Sequence, residues 1–420
     1  MPSPTTGTPN PPRTRRSLTT AAPVALALLV AAGAVAVHRV TGQFWWDLAA
    51  YRTGAAAAAG GDGRLYDVAV RGADGIELGF TYPPFAALLF QPLGYAPTEV
   101  AIGLWAFASV LALLAVIRLT WRAVAPTADR RAVPALVATV LALPLFAVSG
   151  HLQAGQVGLF LMLLVLLDLT GDPSRRWYGL GVGIAAGIKL TPLIFVVYLL
   201  ATGRPRAAGT AVAGFLATVG VGFAWRPADS ARFWGGTLLD SSRVTGDPRT
   251  ILNQSLHGAL ARLADSAEVR HLWLPLAALV AVAGVGVAAW CARSGDHLLG
   301  VLACAATGLL VSPVSWHHHW VWAVPALVLL AERAWRVRSR PGLVVVGLGW
   351  LLLVLSTTWV LAGIQGWDLH FRGAGLVYSN LYVLIGLAAL GYLPFHLRSV
   401  GSAATNRRTG ARRRPVGGTA

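Results

Sequence analysis

Apolar segments of membrane-spanning length recur along this chain from Leu18 to Pro394. A helix needs about 20 mostly apolar residues to cross the hydrocarbon core of a bilayer. The composition agrees, because 55% of the 420 residues are hydrophobic and only 12% are charged, too few for the surface of a soluble domain. The sequence therefore predicts an all-α polytopic membrane protein.

The predicted organisation is a single membrane domain, residues 18–396, between disordered cytoplasmic tails at 1–17 and 397–420 that are rich in Pro, Thr, Arg and Gly. The first apolar run predicts an uncleaved helix, with a cleaved signal peptide as the alternative. Residues 82–93 are apolar but short, which favours a re-entrant or half-spanning segment. We place twelve spans, near 18–40, 99–119, 132–149, 156–170, 177–188, 191–201, 207–225, 272–292, 297–312, 317–332, 341–362 and 375–396.

The distribution of arginine sets the orientation. Short loops rich in Arg stay in the cytoplasm. With the N-terminus inside, the whole formal excess of +17 falls on cytoplasmic loops and tails, and the outside is neutral. The basic charge is thus a topology signal, and it does not require a nucleic-acid partner. Two long loops, 41–81 and 226–271, are then non-cytoplasmic, and both termini are cytoplasmic in the plasma membrane.

The same rule requires a helix break within residues 177–201, because one continuous helix would place the arginines of 333–340 outside. Pro192 disfavours a helical conformation at Thr191, so the break is expected at Lys189 to Pro192. Broken helices in a membrane are tolerated where they line a cavity or are buried in protein.

With this topology the unusual polar clusters converge on the non-cytoplasmic face. They are Asp47 to Tyr51, Phe80 to Pro84, Gly155-Gln156, Lys189 to Pro192, Asn253 to Ser255 and Ser312 to His318. Asp47 follows an aromatic stretch at the membrane interface, where partial loss of water can raise a carboxyl pKa towards values useful for a general base. A helix cap or a surface acid is the alternative for this residue.

Lys189 is the only lysine among 34 basic residues. A lysine in apolar surroundings is a functional hypothesis by default, and its compact ammonium suits a phosphate. A lysine that reaches out to the membrane interface is the alternative. The dominance of arginine, with abundant Ala, Gly and Val, also indicates a GC-rich genome.

The remaining clusters offer substrate contacts of several kinds. Adjacent histidines on a helix point in different directions, so at most two of the run at 317–319 are expected to converge on a ligand. Tyr82 precedes two prolines, which also suit a simple helix start. The amides of Asn253 and Gln254 suit sugar hydroxyls, although the segment also matches a glycosylation sequon. We expect substrate binding by Tyr51, Tyr82, Gln156, Lys189, Asn253, Gln254, Trp316, His317 and His318.

No cofactor is predicted, and no carboxylate has a clear metal-ligand spacing to the histidines, although a divalent cation stays open. The sequence has neither a Walker A motif, nor a dinucleotide fingerprint, nor an Asp-x-Asp nucleotide-sugar motif. A lipid-linked donor that reaches the site from the bilayer therefore fits better than a soluble nucleotide.

In this order, the clusters resemble those of glycosyltransferase family 87, actinobacterial polyprenyl-phosphate-mannose-dependent α-1,2-mannosyltransferases of the GT-C fold. The resemblance spans roughly residues 44–330, and Val157 stands where a polar residue such as asparagine is expected. It implies that Asp47 is the general base of an inverting displacement on a β-linked lipid phosphosugar. The implied partners are a polyprenyl-phosphate sugar donor, membrane lipid and a glycolipid or lipoglycan acceptor. A related transferase for arabinose or another sugar, or a lipid or solute transporter, remains an alternative.

Overall fold

The computed structural model describes residues 13–43, 45–72, 77–125, 132–240, 243, 247–364 and 370–394. The tail predicted at 397–420 and residues 1–12 of the N-terminal tail lie outside this part of the chain. Helix α1 begins at Arg13, within the segment predicted as a tail.

The described residues form a mostly helical structure with one small hairpin. In chain order the elements are α1 (Arg13–Thr41), α2 (Trp46–Gly60), β1 (Ala69–Arg71), β2 (Glu77–Gly79), α3 (Pro84–Leu89), α4 (Gln91–Tyr95), α5 (Thr98–Val124), α6 (Ala132–Ala142), α7 (Phe146–Ala154), α8 (Gly158–Leu169), α9 (Leu180–Ile188), α10 (Ile194–Ala201), α11 (Pro205–Trp225), α12 (Pro227–Gly235), α13 (Leu256–Ala264), α14 (Arg270–Arg293), α15 (His297–Val311), α16 (Ala323–Arg336), α17 (Arg340–Ile364), α18 (Ala374–Ser379) and α19 (Leu381–Pro394). Short 3₁₀ helices cover Thr191–Leu193, Thr237–Leu239 and His317–Trp322. Strands β1 and β2 are antiparallel, with Val70 opposite Leu78.

Within the described residues, four helices are long and apolar enough to cross a bilayer. They are residues Ala21–Thr41 of α1, then α5, α11 and α14. Helices α6 and α7 together make a fifth candidate, bent by 78° at their junction. Shorter apolar helices include α8, α15 and α19. The chain is therefore an all-α, multi-pass membrane protein, as its recurring apolar segments predict.

The bend between α6 and α7 changes the span predicted at 132–149. Pro144 lies between the two helices and has no N–H for a continuing helical hydrogen bond, so the span is broken there. Helix α7 then ends at Gly155, which has a left-handed conformation with φ 71°. A side chain at Gly155 would overlap Leu48 of α2, so this glycine lets α2 pack against the end of α7.

The predicted break at Lys189 is present. Helix α9 ends at Ile188, Lys189 is extended with φ −147° and ψ 132°, and a 3₁₀ turn at Thr191–Leu193 leads into α10. The segment predicted as a span at 317–332 likewise begins with a 3₁₀ turn and continues as α16. Both breaks present side chains to the same interior region.

The two long loops are joined to each other by polar contacts. The Asp229 carboxylate of the second loop accepts a hydrogen bond from the Leu65 N–H of the first, at 3.1 Å. Arg243 donates to the Tyr66 carbonyl at 2.6 Å, and Arg232 forms an ion pair with Asp67 at 2.6 Å. The loops thus form one layer over the helices, and this layer carries both Asp47 and Asn253.

Candidate active site

A continuous chain of polar side chains joins elements that are far apart in sequence. It runs from Asp47 in α2 through Gln156, Tyr51 and Tyr82 to Lys189 at the α9 break, and then to His319. We call these six residues the polar network. Five of them are residues that the sequence predicts for the site, whereas His319 is an addition.

The carboxamide of Gln156 lies at the centre of the network. Its Oε1 accepts hydrogen bonds from the Val157 N–H at 3.1 Å and from the Tyr51 hydroxyl at 3.0 Å. A backbone N–H can only donate, so this atom must be the oxygen and the NH₂ group must face Asp47. The Nε2 donates to Asp47 Oδ1 at 2.7 Å. Gln156 is itself fixed, because Trp105 donates to its carbonyl at 3.3 Å.

Asp47 has the environment of a base. Burial raises the pKa of Asp47 to about 6, against the opposing effects of the Lys189 charge and the hydrogen bond from Gln156. Its other oxygen, Oδ2, takes no part in the hydrogen bond with Gln156. A carboxylate with one oxygen anchored and a pKa near neutrality is suited to accept a proton from a hydroxyl.

The two tyrosines connect this carboxylate to the lysine. Their hydroxyls lie 3.0 Å apart, and the rings meet edge to face with centroids 5.1 Å apart. Tyr51 also stacks on Phe90 at 4.4 Å. Tyr66 donates to the Tyr82 carbonyl at 2.8 Å, which ties the backbone before α3 to the first loop. Tyr82 therefore both precedes a proline helix start and contributes its hydroxyl to the network.

The ammonium of Lys189 is turned into the network. It donates to the Tyr82 hydroxyl at 3.2 Å and lies 3.1 Å from His319 Nε2. An ammonium cannot accept, so Nε2 of a neutral His319 is the acceptor. Lysine has three N–H donors, and these two partners use two of them. The third is available for an anion.

A narrow cavity of about 60 Å³ opens beside Lys189 and His319. Apart from these two residues its lining is mainly apolar, and includes Leu161, Met162, Val165, Ile194, Phe195 and Leu309. A cation in the wall of an apolar cavity suits an anionic group that is attached to a hydrocarbon chain.

The structure places the predicted histidines differently from one another. His317 is buried and stacks on Phe146, with ring centroids 4.0 Å apart. Gly150 makes this possible, since a side chain there would overlap the His317 ring. His318 is buried against the ring of His319 at 4.9 Å. The residue that reaches Lys189 is His319, which sequence reasoning missed.

The amides of Asn253 and Gln254 bind the protein backbone. Asn253 Oδ1 accepts from the Ser315 N–H at 3.1 Å, and its backbone bridges to Trp316, which is half-buried. Gln254 donates to the carbonyls of Ile251 and Ser379 at 2.6 and 2.7 Å and accepts from the Tyr382 N–H at 3.2 Å.

Both side chains are buried and engaged with the protein, so sugar binding by Asn253 and Gln254 stays a prediction. They hold the second loop against the segment that begins the histidine run. The His317 N–H supports the same junction by donating to the Leu252 carbonyl at 3.0 Å. The contacts of Asn253, Gln254 and Trp316 thus connect the second loop to the histidine segment, and they lie outside the polar network.

Comparison with known proteins gives one consistent result. Residues 80–313 match the model of glycosyltransferase family 87. A polyprenol-phosphate-mannose-dependent alpha-(1-2)-phosphatidylinositol pentamannoside mannosyltransferase of Mycolicibacterium smegmatis is 34% identical over 411 residues, 94% of this chain and 96% of the relative.

A protein of the same description from Mycobacterium tuberculosis is 36% identical over 326 residues, 75% of this chain and 73% of that relative. Another M. tuberculosis relative is described as a polyprenol-phosphate-mannose-dependent alpha-(1-2)-phosphatidylinositol mannoside mannosyltransferase. It is 35% identical over 280 residues, which covers 63% of this chain and 65% of the relative. No solved structure matches the chain.

The structural role of Gln254 can be separated from substrate binding. We expect Gln254→Met to lower the free energy of unfolding by about 2–4 kcal/mol, because it leaves buried backbone groups without partners. Gln153→Met is the matched control: Gln153 is exposed, and its change should stay within about 0.5 kcal/mol. Denaturation in one detergent measures both. Equal stability of the two variants, with a raised KM in Gln254→Met alone, would contradict the structural role.

Proposed function

The chain belongs to glycosyltransferase family 87 and is a membrane mannosyltransferase, and on that premise we propose that it transfers mannose from polyprenyl-phosphate-mannose to a cell-envelope glycolipid or lipoglycan. The transfer inverts the β-linked donor and forms an α-1,2 linkage. The observation that carries the proposal is the polar network, which connects a base to a cation beside an apolar cavity.

The proposed step needs only groups in this network. Asp47 accepts the proton of the acceptor hydroxyl as the oxygen attacks the anomeric carbon. The bond from that carbon to the phosphate oxygen breaks, and polyprenyl phosphate leaves as an anion. Lys189 stabilises this anion, and His319 with Tyr82 hold the ammonium in place. Positioning and fixed charge supply most of the rate enhancement in such a reaction.

The printed descriptions of the relatives favour phosphatidylinositol mannosides as the acceptor class. An acceptor of this kind has its sugar at the membrane surface and its acyl chains in the bilayer. The layer of loops that carries Asp47 is a suitable place for such a headgroup. Family membership also favours the transferase over the transporter considered from the broken helices.

We place the site on the non-cytoplasmic face of the plasma membrane in a GT-C fold with about twelve spans. The support is the arginine partition, together with the position of both long loops on the network side of the helices. With this orientation the termini are cytoplasmic, and the donor enters from the outer half of the bilayer.

The base role of Asp47 predicts a pH dependence. Activity should rise with pH through about 6, because the carboxyl must be ionised to accept a proton. Asp47→Asn should lower turnover about 10²–10⁴-fold, since asparagine keeps the size but cannot take the proton. The assay is formation of new mannolipid from polyprenyl-phosphate-mannose and a phosphatidylinositol mannoside.

The stability of the same variant gives the control. A carboxyl whose pKa is raised by folding stabilises the fold below its ordinary pKa, and this stabilisation is lost as pH rises to about 6. Asp47→Asn should therefore be folded and no less stable than the parent above pH 6. A folded variant with most of its turnover would show that Asp47 is not the base.

Lys189 gives a second test. Lys189→Met should reduce kcat/KM by tens to several hundred fold, equivalent to about 2–4 kcal/mol, because it removes a desolvated charge from the donor phosphate. Lys189→Arg should recover only part of the lost kcat/KM, since a planar guanidinium does not replace a compact ammonium. Steady-state kinetics in one detergent measures both. If Lys189→Arg has the full kcat/KM of the parent and Lys189→Met loses less than a few fold, Lys189 does not bind the phosphate. It would then only extend its charge to the membrane interface.

The orientation has its own test, in cells, with Glu268→Cys in the second loop and Arg338→Cys between α16 and α17. Both positions are exposed, whereas the natural Cys291 and Cys304 are buried, so the parent is the control for background labelling. A membrane-impermeant maleimide added outside should label position 268 and leave position 338 unlabelled until the membrane is opened. Labelling of both from outside would contradict the orientation.

A further inference from the structure

A second and larger cavity lies away from the polar network. Its volume is about 760 Å³, within the range of small-molecule sites. Its polar lining includes Tyr178, Arg204, Asp296, His297, Arg333 and Arg336. We call it the basic cavity. Nothing in the proposed transfer reaction uses these residues.

The basic cavity is at the opposite end of the helices from the active site. Gly158, at the start of α8, lines the cavity beside Lys189, and Leu169, at the end of α8, lines the basic cavity. Helix α15 runs between them in the other direction, from His297 to Leu309. At 1.5 Å per residue, Gly158 and Leu169 lie roughly 16 Å apart along α8, and His297 and Leu309 roughly 18 Å apart along α15. With the orientation proposed above, the basic cavity faces the cytoplasm.

The charges of the basic cavity are incompletely balanced. Arg333 is paired with Asp296, and Arg336 with Glu332 at 2.8 Å. Arg204 has neutral partners, donating to the Tyr178 hydroxyl at 2.8 Å and to His297 Nδ1 at 3.2 Å. In the part of the chain that the structure describes, no carboxylate pairs with Arg204. The cavity therefore holds a half-buried guanidinium that an anion would neutralise.

The hydrogen bonds around Arg204 leave donors for that anion. Tyr178 gives its proton to the Leu169 carbonyl at 3.1 Å, so its oxygen accepts from Arg204. His297 accepts at Nδ1, so a neutral ring carries its proton on Nε2. Arginine has five N–H donors in a planar fork that matches the oxygens of a phosphate. Arg204, His297 and Arg336 thus form a donor set on the cavity wall.

We propose that the basic cavity binds the phosphate group of an anionic phospholipid. The surface next to it favours a lipid over a soluble phosphate. Leu330, Trp335 and Val337 are 48%, 71% and 75% exposed on or just after α16, the helix that carries Arg333 and Arg336. Acyl chains can cover this apolar surface while the headgroup occupies the cavity. Basic pockets between membrane helices on the cytoplasmic side bind anionic lipid headgroups in this way.

The test uses the full-length protein in detergent with phosphatidylglycerol or phosphatidylcholine, and native mass spectrometry to count retained lipid. The parent should retain phosphatidylglycerol preferentially. Arg204→Gln should bind it about tenfold more weakly, because one charged hydrogen-bonding group is lost. Arg206→Gln is the matched control: Arg206 is exposed, two residues along the chain, and outside the cavity lining.

If Arg204→Gln folds poorly, Arg336→Gln still tests the proposal. Arg336 is exposed, and among the described residues its ion-pair partner is Glu332 of its own helix. Thermal unfolding with phosphatidylglycerol or with glycerol phosphate identifies the source of the phosphate. The proposal is supported if phosphatidylglycerol stabilises the parent and Arg206→Gln but does not stabilise Arg204→Gln or Arg336→Gln. Stabilisation by glycerol phosphate alone, or equal retention of lipid by all three variants, overturns it.

Discussion

The carboxamide of Gln156 has one orientation open to it, and the arrangement of the active site depends on that orientation. Its oxygen receives the Val157 N–H and the Tyr51 hydroxyl, so its NH₂ group is directed at Asp47. This amide joins an acceptor-only carboxylate to a row of hydroxyls that ends on an ammonium. Asp47 and Lys189 are thereby held in one site by neutral groups, without forming an ion pair that would neutralise both charges.

Broken helices make this arrangement possible inside a membrane protein. An uninterrupted helix satisfies its own backbone, whereas each break exposes polar groups that need partners. At the end of α7 the Gln156 N–H is satisfied by the His151 carbonyl, and at the α9 break the Lys189 N–H is satisfied by the Ala185 carbonyl. The side chains at the breaks are then free to turn inwards. The backbone groups that these helix breaks expose are therefore hydrogen-bonded in the same region as the polar network.

Much of the site could be predicted because the signals were local. A carboxylate after an aromatic stretch, a single lysine and a proline four residues after the end of a helix are each visible in one short window. The sequence did not show that His319, rather than His317 or His318, contacts Lys189. That contact depends on the 3₁₀ geometry of His317–Trp322, which changes the direction in which each ring points.

Other features are hidden from a short sequence window for similar reasons. The backbone contacts of the Gln254 amide involve Ser379 and Tyr382, more than 120 residues away. The bend at Pro144 was hidden by an apolar run of full spanning length. The sequence did not indicate the basic cavity, because the orientation of the chain in the membrane already explained its arginines.

The central claim is that Lys189 binds the phosphate of the donor, while Asp47 accepts the proton of the acceptor hydroxyl that attacks the sugar of the same donor. A cryo-electron microscopy structure of the Asp47→Asn variant with polyprenyl-phosphate-mannose tests it most directly. The account predicts phosphate density in contact with the Lys189 ammonium, the polyprenyl chain in the apolar cavity beside α8, and the sugar between the phosphate and residue 47. Donor whose phosphate lies in the basic cavity, or has no contact with Lys189, would contradict it.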